Sequence, residues 1–308
     1  MTEKFETILE SYRNAGRAVI AAKNLAKEII KPGALFLDIA NQCESEIIKN
    51  GAELSFPINM SLNDIAAHYS PTIDDETVVP EEGLLKIDLG SHVNGYIADS
   101  AFTINLDENP KLQNFIDAAT EGLEAAIEIF RPGTKLYELG EVIAEKIKRR
   151  GLNPITNLGG HELKQYNLHA GPFIPNDKIK QHAETLKPGD AYACEPFSTS
   201  GAGTVMNGKH SYIFRFVKKN KKNMGYEEQN YMNKIEKNCG RLPFSPRLLE
   251  NKQVIPKNKI QRTIDSFLRK KILDHYPILI ERTHALVAQQ EHTIVIDMDG
   301  RTIVTTRE

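Results

Sequence analysis

Between Lys86 and Ser100 the chain reads KIDLGSHVNGYIADS. Two apolar, strand-like runs, Lys86-Ile87 and Tyr96-Ile97-Ala98, lead into Asp88 and Asp99, and Gly90, Asn94 and Gly95 supply the turn between them. The stretch therefore predicts a hairpin with a carboxylate in each strand. A buried, unpaired charge costs several kcal/mol, so such a residue is normally solvated, paired or bound to a cation. Taken alone, the two aspartates read as solvent-facing acids beside a turn.

Working outward changes that reading, because the surroundings repeat. Residues 4–30 carry Phe5, Ile8, Leu9, Tyr12, Ala15 and Val19 at three- and four-residue steps, the pattern of an amphipathic helix. Pro32-Gly33 stops it, a second helix runs through Ile39, Cys43, Ile47 and Ile48, and Gly51 ends that one. One hundred residues later the order returns: a helix from about Asn109 to Phe130, Pro132-Gly133, a helix through Leu139, Ile143 and Ile147, and Gly151. HYSP from His68 and HAGP from His169 follow the two units, and each is succeeded by a turn and a strand bearing an acid. In this register Asp88 corresponds to Glu195, and DSAFTINLD from Asp99 aligns with EHTIVIDMD from Glu291. Asp88 and Asp99 are 11 residues apart, whereas Glu195 and Glu291 are 96 apart, so about 85 residues are inserted into the second hairpin. The expected architecture is a mixed α/β (α+β) fold of two halves related by a pseudo-two-fold. Residues 1–200 plus 285–308 form the main domain, and 201–284 form an inserted, basic, mainly helical subdomain.

Composition sets the outer bounds. At 308 residues, with 40% apolar and 26% charged residues and a mean hydropathy of −0.40, the chain reads as globular. No apolar run approaches the roughly 18 residues that span a bilayer, and the start, MTEKFETILESYRNAG, is charged where a signal peptide is apolar. A cytoplasmic protein with no membrane partner is expected. Cys43, Cys194 and Cys239 form no CxxC and read as reduced thiols. The net charge of −2 hides an asymmetry: Lys209 to Arg282 holds 18 Lys or Arg against 7 Asp or Glu.

If the halves pack face to face, Asp88, Asp99, Glu195 and Glu291 converge on the pseudo-axis. Four like charges at close range repel and raise one another's pKa unless cations lie between them. Hard oxygen ligands shared between two centres suit a pair of divalent ions, and an imidazole shifts preference towards Mn, Fe, Co or Zn. The imidazole candidate is His161 in NLGGHELKQYNLHAG, behind a Gly-Gly pair that permits close backbone approach, with His169 eight residues on. His182, His210 and His275 lack such company and read as ordinary histidines.

The ordered set Asp88, Asp99, His161, Glu195, Glu291, within IDLG, YIADSAFTI, GGHELKQYNLHAGP, CEPF and VAQQEHT, resembles the pita-bread metallopeptidases of family M24 over nearly the whole chain. Within them it is most similar to the second type of methionine aminopeptidase. The insert between the glutamates and the GHxxxxYxxHxGPxxP pattern from Gly160 to Pro175 carry that likeness. A catalytic domain starting almost at the first residue resembles archaeal members. The resemblance implies a pita-bread fold, a monomer and two divalent ions drawn from Co, Mn, Fe(II), Zn or Ni. Asp88 would hold one ion, His161 and Glu195 the other, and Asp99 and Glu291 would bridge them. It further implies catalytic roles for His68 beside the scissile bond, His169 at the substrate carbonyl and Glu195 as proton shuttle. The residue before the second histidine, Leu168, would line the methionine pocket, with Phe56 and His284 as further candidates, and His68 and His169 would also bind substrate. The implied activity is co-translational removal of the N-terminal methionine from peptides and nascent chains, with a small second residue preferred. The basic insert suggests transient ribosome contact, with no specific DNA partner. Cys194 has no nucleophilic task beside a metal-activated water.

Two rivals are defined by what would separate them. An X-Pro peptidase, a prolidase or aminopeptidase P of the same fold, would release proline dipeptides and leave Met-Ala-Ser intact. A non-catalytic homologue that binds ribosomes or nucleic acid would have no need of the five ligand types.

Overall fold

The computed structural model describes residues 2–220, 222 and 224–308. The first half begins with helices α1 (Thr2–Ile29) and α2 (Phe36–Lys49). Short strands β1 (Glu53–Leu54), β2 (Asn59–Leu62) and β3 (Ile65–Ala67) lead to the long hairpin β4 (Leu84–Val93) and β5 (Tyr96–Asn105). The second half repeats the order with α3 (Pro110–Glu128), α4 (Leu136–Arg149), β6 (Asn153–Pro154), β7 (Gly159–Glu162), β8 (Phe173–Pro175), β9 (Ala191–Cys194) and β10 (Phe197–Thr199). The inserted segment contributes β11 (Val205–Phe216), α5 (Tyr226–Cys239), α6 (Pro246–Asn251), α7 (Lys257–Arg269) and β12 (Leu273–Glu281). The chain then resumes with β13 (Val287–Gln289), β14 (His292–Ile296) and β15 (Thr302–Val304).

The pseudo-two-fold extends to backbone detail. Helices α2 and α4 are both 14 residues long, and isolated bridges Leu35–Val78 and Lys135–Thr185 precede them at matching positions. Gly33 and Gly133 have φ of 83° and 90°, and Gly51 and Gly151 have φ of 79° and 75°. At the ends of α2 and α4 the chain turns through left-handed backbone, where a residue without Cβ is unstrained. Each half has its own core. Val19, Phe36, Ile39, Ile47, Ile87 and Leu89 pack in the first, and Leu123, Leu139, Ile143, Ile147, Ile294 and Ile296 in the second. The halves join where β5 meets β13 and β14. There Thr103 Oγ1 donates to the Gln289 carbonyl at 2.7 Å, Ser100 Oγ to the Glu291 carbonyl at 2.7 Å, and the Glu291 amide to the Ala101 carbonyl at 3.0 Å. This is the expected pita-bread arrangement, and it brings both hairpins to one seam.

The inserted segment combines helices with a strand ribbon. Helices of 14, 6 and 13 residues lie beside an antiparallel ribbon of strands 12 and 9 residues long. VMNGKHSYIFRF does not alternate polar and apolar residues, Tyr212, Ile213 and Phe214 standing together, which is why the sequence conceals the strand. Phe214, Met232, Ile235, Phe244, Ile264 and Phe267 give the segment its own core. Strand β12 also pairs with β3, Leu279 opposite Ala67, so the ribbon takes a strand of the first half as the third strand of its own sheet. No helix among the described residues is long and apolar enough to cross a membrane.

Candidate metal centre and substrate cavity

The hairpin of the first half holds Asp88 and Asp99 in continuous strands, with Asp88 opposite Ala101 and Gly90 opposite Asp99. In the second half the strands are interrupted at the acids. Cys194 pairs with His292 and Phe197 with Gln289, which leaves Glu195 and Glu291 facing each other across a break in both strands. His161 enters from β7, which pairs with β9. The backbone approach there is as close as Gly160 allows: a Cβ at that position would lie 2.3 Å from the Ala193 carbonyl oxygen.

The side chains meet in one cavity of about 210 Å³, lined by Asp88, Asp99, His161, Glu195, Glu291 and both His68 and His169 among others. Asp99, His161 and Glu291 each offer a ligand atom within 4.8 Å of the other two. His161 Nε2 is 3.6 Å from Asp99 Oδ2 and 4.0 Å from Glu195 Oε1. Those separations are too long for hydrogen bonds. They suit ligand atoms that share an ion through bonds of about 2.0–2.2 Å. Among the described residues, Asp88 Oδ1, Asp99 Oδ1 and His161 Nδ1 are buried without a hydrogen-bond partner.

Electrostatics point the same way. Burial pushes Asp88 up to about 7. Burial, then repulsion from neighbouring carboxylates, holds Asp99 and Glu291 well above the ordinary carboxylate range, and burial and Asp88 do the same for Glu195. Burial lowers His161 to about 4, which keeps its imidazole neutral and able to act as a ligand. Four acids forced together with a neutral imidazole and orphaned oxygens fit divalent cations.

The remaining lining places an apolar wall beside the charged floor. Phe56 and Leu168, both nearly buried, line the cavity with Phe173, Ile213, Pro243 and Tyr276. His68 adopts left-handed backbone, φ 69°, a strained conformation for a residue with a Cβ. Its Nδ1–H donates to the Pro277 carbonyl at 3.1 Å, which leaves Nε2 as an acceptor. Burial lowers its pKa, so the ring is neutral near pH 7. His169 stacks near His161, ring centroids 4.4 Å apart, with Tyr276 5.9 Å away. Burial within the surrounding protein and then His161 lower its pKa, although the residue keeps an exposed part.

One expected pocket residue is elsewhere. His284 is largely exposed, is not among the residues lining the cavity, and bonds Asp64 at 2.6 Å, because the chain turns at φ 60° there and swings the ring away. Cys194 is fully buried, and burial pushes its thiol up, so it is an inert neighbour of Glu195. Several contributors escape sequence reading. Gln289 Nε2 donates to Glu195 Oε2 at 3.0 Å, and Tyr276 and Pro243 reach the cavity from the insert. Only Gln289 left a trace, two residues ahead of Glu291 in VAQQEHT.

Comparison with known proteins agrees with this geometry. The model of metallopeptidase family M24 matches residues 10–233. The methionine aminopeptidase of Saccharolobus solfataricus is 40% identical over 293 residues, 95% of this chain and 96% of that protein. That of Pyrococcus horikoshii is 38% identical over 291 residues, 94% of this chain and 97% of the relative. Among solved structures, one described as a thermophilic Arx1 superposes with a TM-score of 0.84 at 17% identity, covering 97% of this chain and 90% of the other.

Proposed function

The chain belongs to metallopeptidase family M24 and removes N-terminal methionine, and from that premise we propose that Asp88, Asp99, His161, Glu195 and Glu291 hold two divalent ions. The observation that carries this is the convergence of four carboxylates and a neutral imidazole on one cavity with an apolar wall. When bound, the ions supply a water acidified to near-neutral pKa and polarise the first peptide carbonyl.

The protein groups divide the remaining work. Glu195 takes the proton of the attacking water and returns it to the departing amine. His169, at the cavity mouth, donates to the carbonyl oxygen as negative charge develops there. His68 Nε2 accepts from the scissile amide N–H, held in that tautomer by Pro277. Leu168 and Phe56 hold the methionine side chain. The second residue faces the crowded side formed by His68, His169 and Tyr276, which favours a small one.

The substrates are N-terminal Met peptides and nascent chains in the cytoplasm. The insert supports a transient ribosome contact through its exposed Lys218 and Lys222, with Lys219 paired to Glu236 at 2.6 Å; Lys221 lies outside the described residues. Substituting Lys218, Lys219, Lys221 and Lys222 by Glu weakens ribosome co-sedimentation if that contact exists, and undiminished co-sedimentation rejects it.

Metal-dependent release of Met from Met-Ala-Ser tests the site assignment. His161→Ala and Glu195→Gln lower kcat/KM by about 10³-fold or more, the several kcal/mol that metal assistance provides. Full activity in either variant overturns the ligand assignment. Proline release from X-Pro dipeptides without Met release overturns the substrate.

A further inference from the structure

Arg247 is 2% exposed and heads the fully buried side chains by size, yet it does not line the cavity. It sits in α6, four residues after Pro243. Its Nη1 and Nη2 donate to Glu44 Oε2 and Oε1 at 2.8 and 2.7 Å, a two-bond fork on a carboxylate from α2. Nη1 also reaches Asn41 Oδ1 at 3.0 Å, and Nε donates to the Pro71 carbonyl at 2.8 Å. Glu44 Oε1 in turn accepts the Ile58 amide at 3.1 Å.

Ile58, Pro71 and Arg247 each lie a few residues from a wall of the cavity. Ile58 stands between Phe56 and Asn59, Pro71 follows His68 by three residues, and Arg247 follows Pro243 by four; Phe56, Asn59, His68 and Pro243 all line the cavity. Three chain segments, two of them also joined by the Met60 amide donating to the Tyr69 carbonyl at 2.7 Å, are thus tied to a single guanidinium and carboxylate. An apolar pair of similar volume could fill the space, but it would leave the Ile58 amide and the Pro71 carbonyl without these partners. What the ion pair adds is direction, because a planar fork fixes angle as well as distance.

We propose that Glu44 and Arg247 are a positioning pair that sets the spacing of the pocket walls, and through it the selectivity for methionine. This rests on the reading that the terminal side chain occupies the cavity beside Phe56 and Leu168. The pair touches neither substrate nor metal ligands, so its loss changes recognition and leaves the metal centre intact.

Steady-state hydrolysis of Met-Ala-Ser and Leu-Ala-Ser tests this for the wild type, R247K and E44L/R247M, alongside divalent-metal titration and thermal unfolding. R247K keeps the charge and loses the fork, so it carries the test even if the double variant does not fold. The expected result is unchanged metal affinity, kcat within about threefold, a rise of about tenfold in KM for Met-Ala-Ser and a fall of about tenfold in the preference for Met over Leu. A folded R247K with KM and preference within about twofold of wild type overturns the proposal. So does a loss of metal affinity that parallels the loss of activity, which would put the pair beneath the metal centre. Failure of the wild type to release Met would instead refute the reading of the cavity.

Discussion

The two carboxylate arms of the molecule start from one pattern and reach the centre differently. In the first half, Asp88 and Asp99 ride on unbroken ten-residue strands joined at Asn94-Gly95, and their ladder partners are Ala101 and Gly90. In the second, Glu195 and Glu291 sit where both strands break, directly across from each other. A regular ladder fixes a short aspartate through its backbone alone. A glutamate at a break has one more rotatable bond and no ladder partner, so it needs a brace. Gln289 supplies one for Glu195, and Ser100, itself bonded by Lys23 Nζ at 2.9 Å, holds the carbonyl of Glu291. The backbone of both arms is tied across the seam, Asp99 by Thr293 Oγ1 and Glu291 by the Ala101 carbonyl, and the broken arm adds a side-chain brace on the Glu195 carboxylate.

The sharpest way to break that contrast is to remove the brace. Gln289→Ala is expected to cost about 10–100-fold in metal affinity or kcat/KM, the usual range for groups that orient a ligand. An unaffected Gln289→Ala in metal titration and peptide hydrolysis would mean that the broken arm holds itself. A smaller effect, shared by both arms, comes from charge. Carboxylates raised by burial and mutual repulsion favour the metal-free fold while protonated, and that contribution disappears as pH rises through the raised pKa, about 7 for Asp88. The gain in Tm on adding divalent metal should therefore be several degrees larger at pH 8 than at pH 5.5. A gain that is flat or shrinks over that range in calorimetry would show that the arms do not repel. The smallest effect tests the symmetry behind the comparison. A Cβ added at Gly51 or Gly151 meets nothing within 4 Å, so Gly51→Ala and Gly151→Ala pay for backbone strain alone. Each should lose about 1 kcal/mol, and by nearly the same amount, in denaturant titrations. Unequal losses would show that the matched turns are not equivalent.

Much of this was legible in sequence because it is local. The stops at Pro32-Gly33 and Pro132-Gly133 and the matched ends at Gly51 and Gly151 are punctuation that a chain must spell out, and they set the frame in which Asp88 and Asp99 find their counterparts. The strand breaks at Glu195 and Glu291 were not legible, since they depend on pairing across 96 residues. Tyr276 reaches the cavity from β12 of the ribbon, and Pro243 from the link between α5 and α6 that bridges to β11 at Phe214–Phe244. His284, expected at the methionine pocket, bonds Asp64 from a left-handed backbone position, a conformation that no motif announces. The Glu44–Arg247 pair spans 203 positions and carries no motif.

The pairing of β12 with β3 limits what can be done with the insert by engineering or by gene rearrangement. It is stitched into its host as a strand and not hung from it as an appendage. Excising it would bare the edge of β3 and remove the carbonyl of Pro277 that sets the His68 tautomer. Transplanting it would carry away Pro243, Tyr276 and Arg247, parts that have meaning only beside His68 and Glu44. The segment is therefore inseparable from the chemistry it borders: a chimera that exchanges it must exchange its seams on β3 and α2 as well.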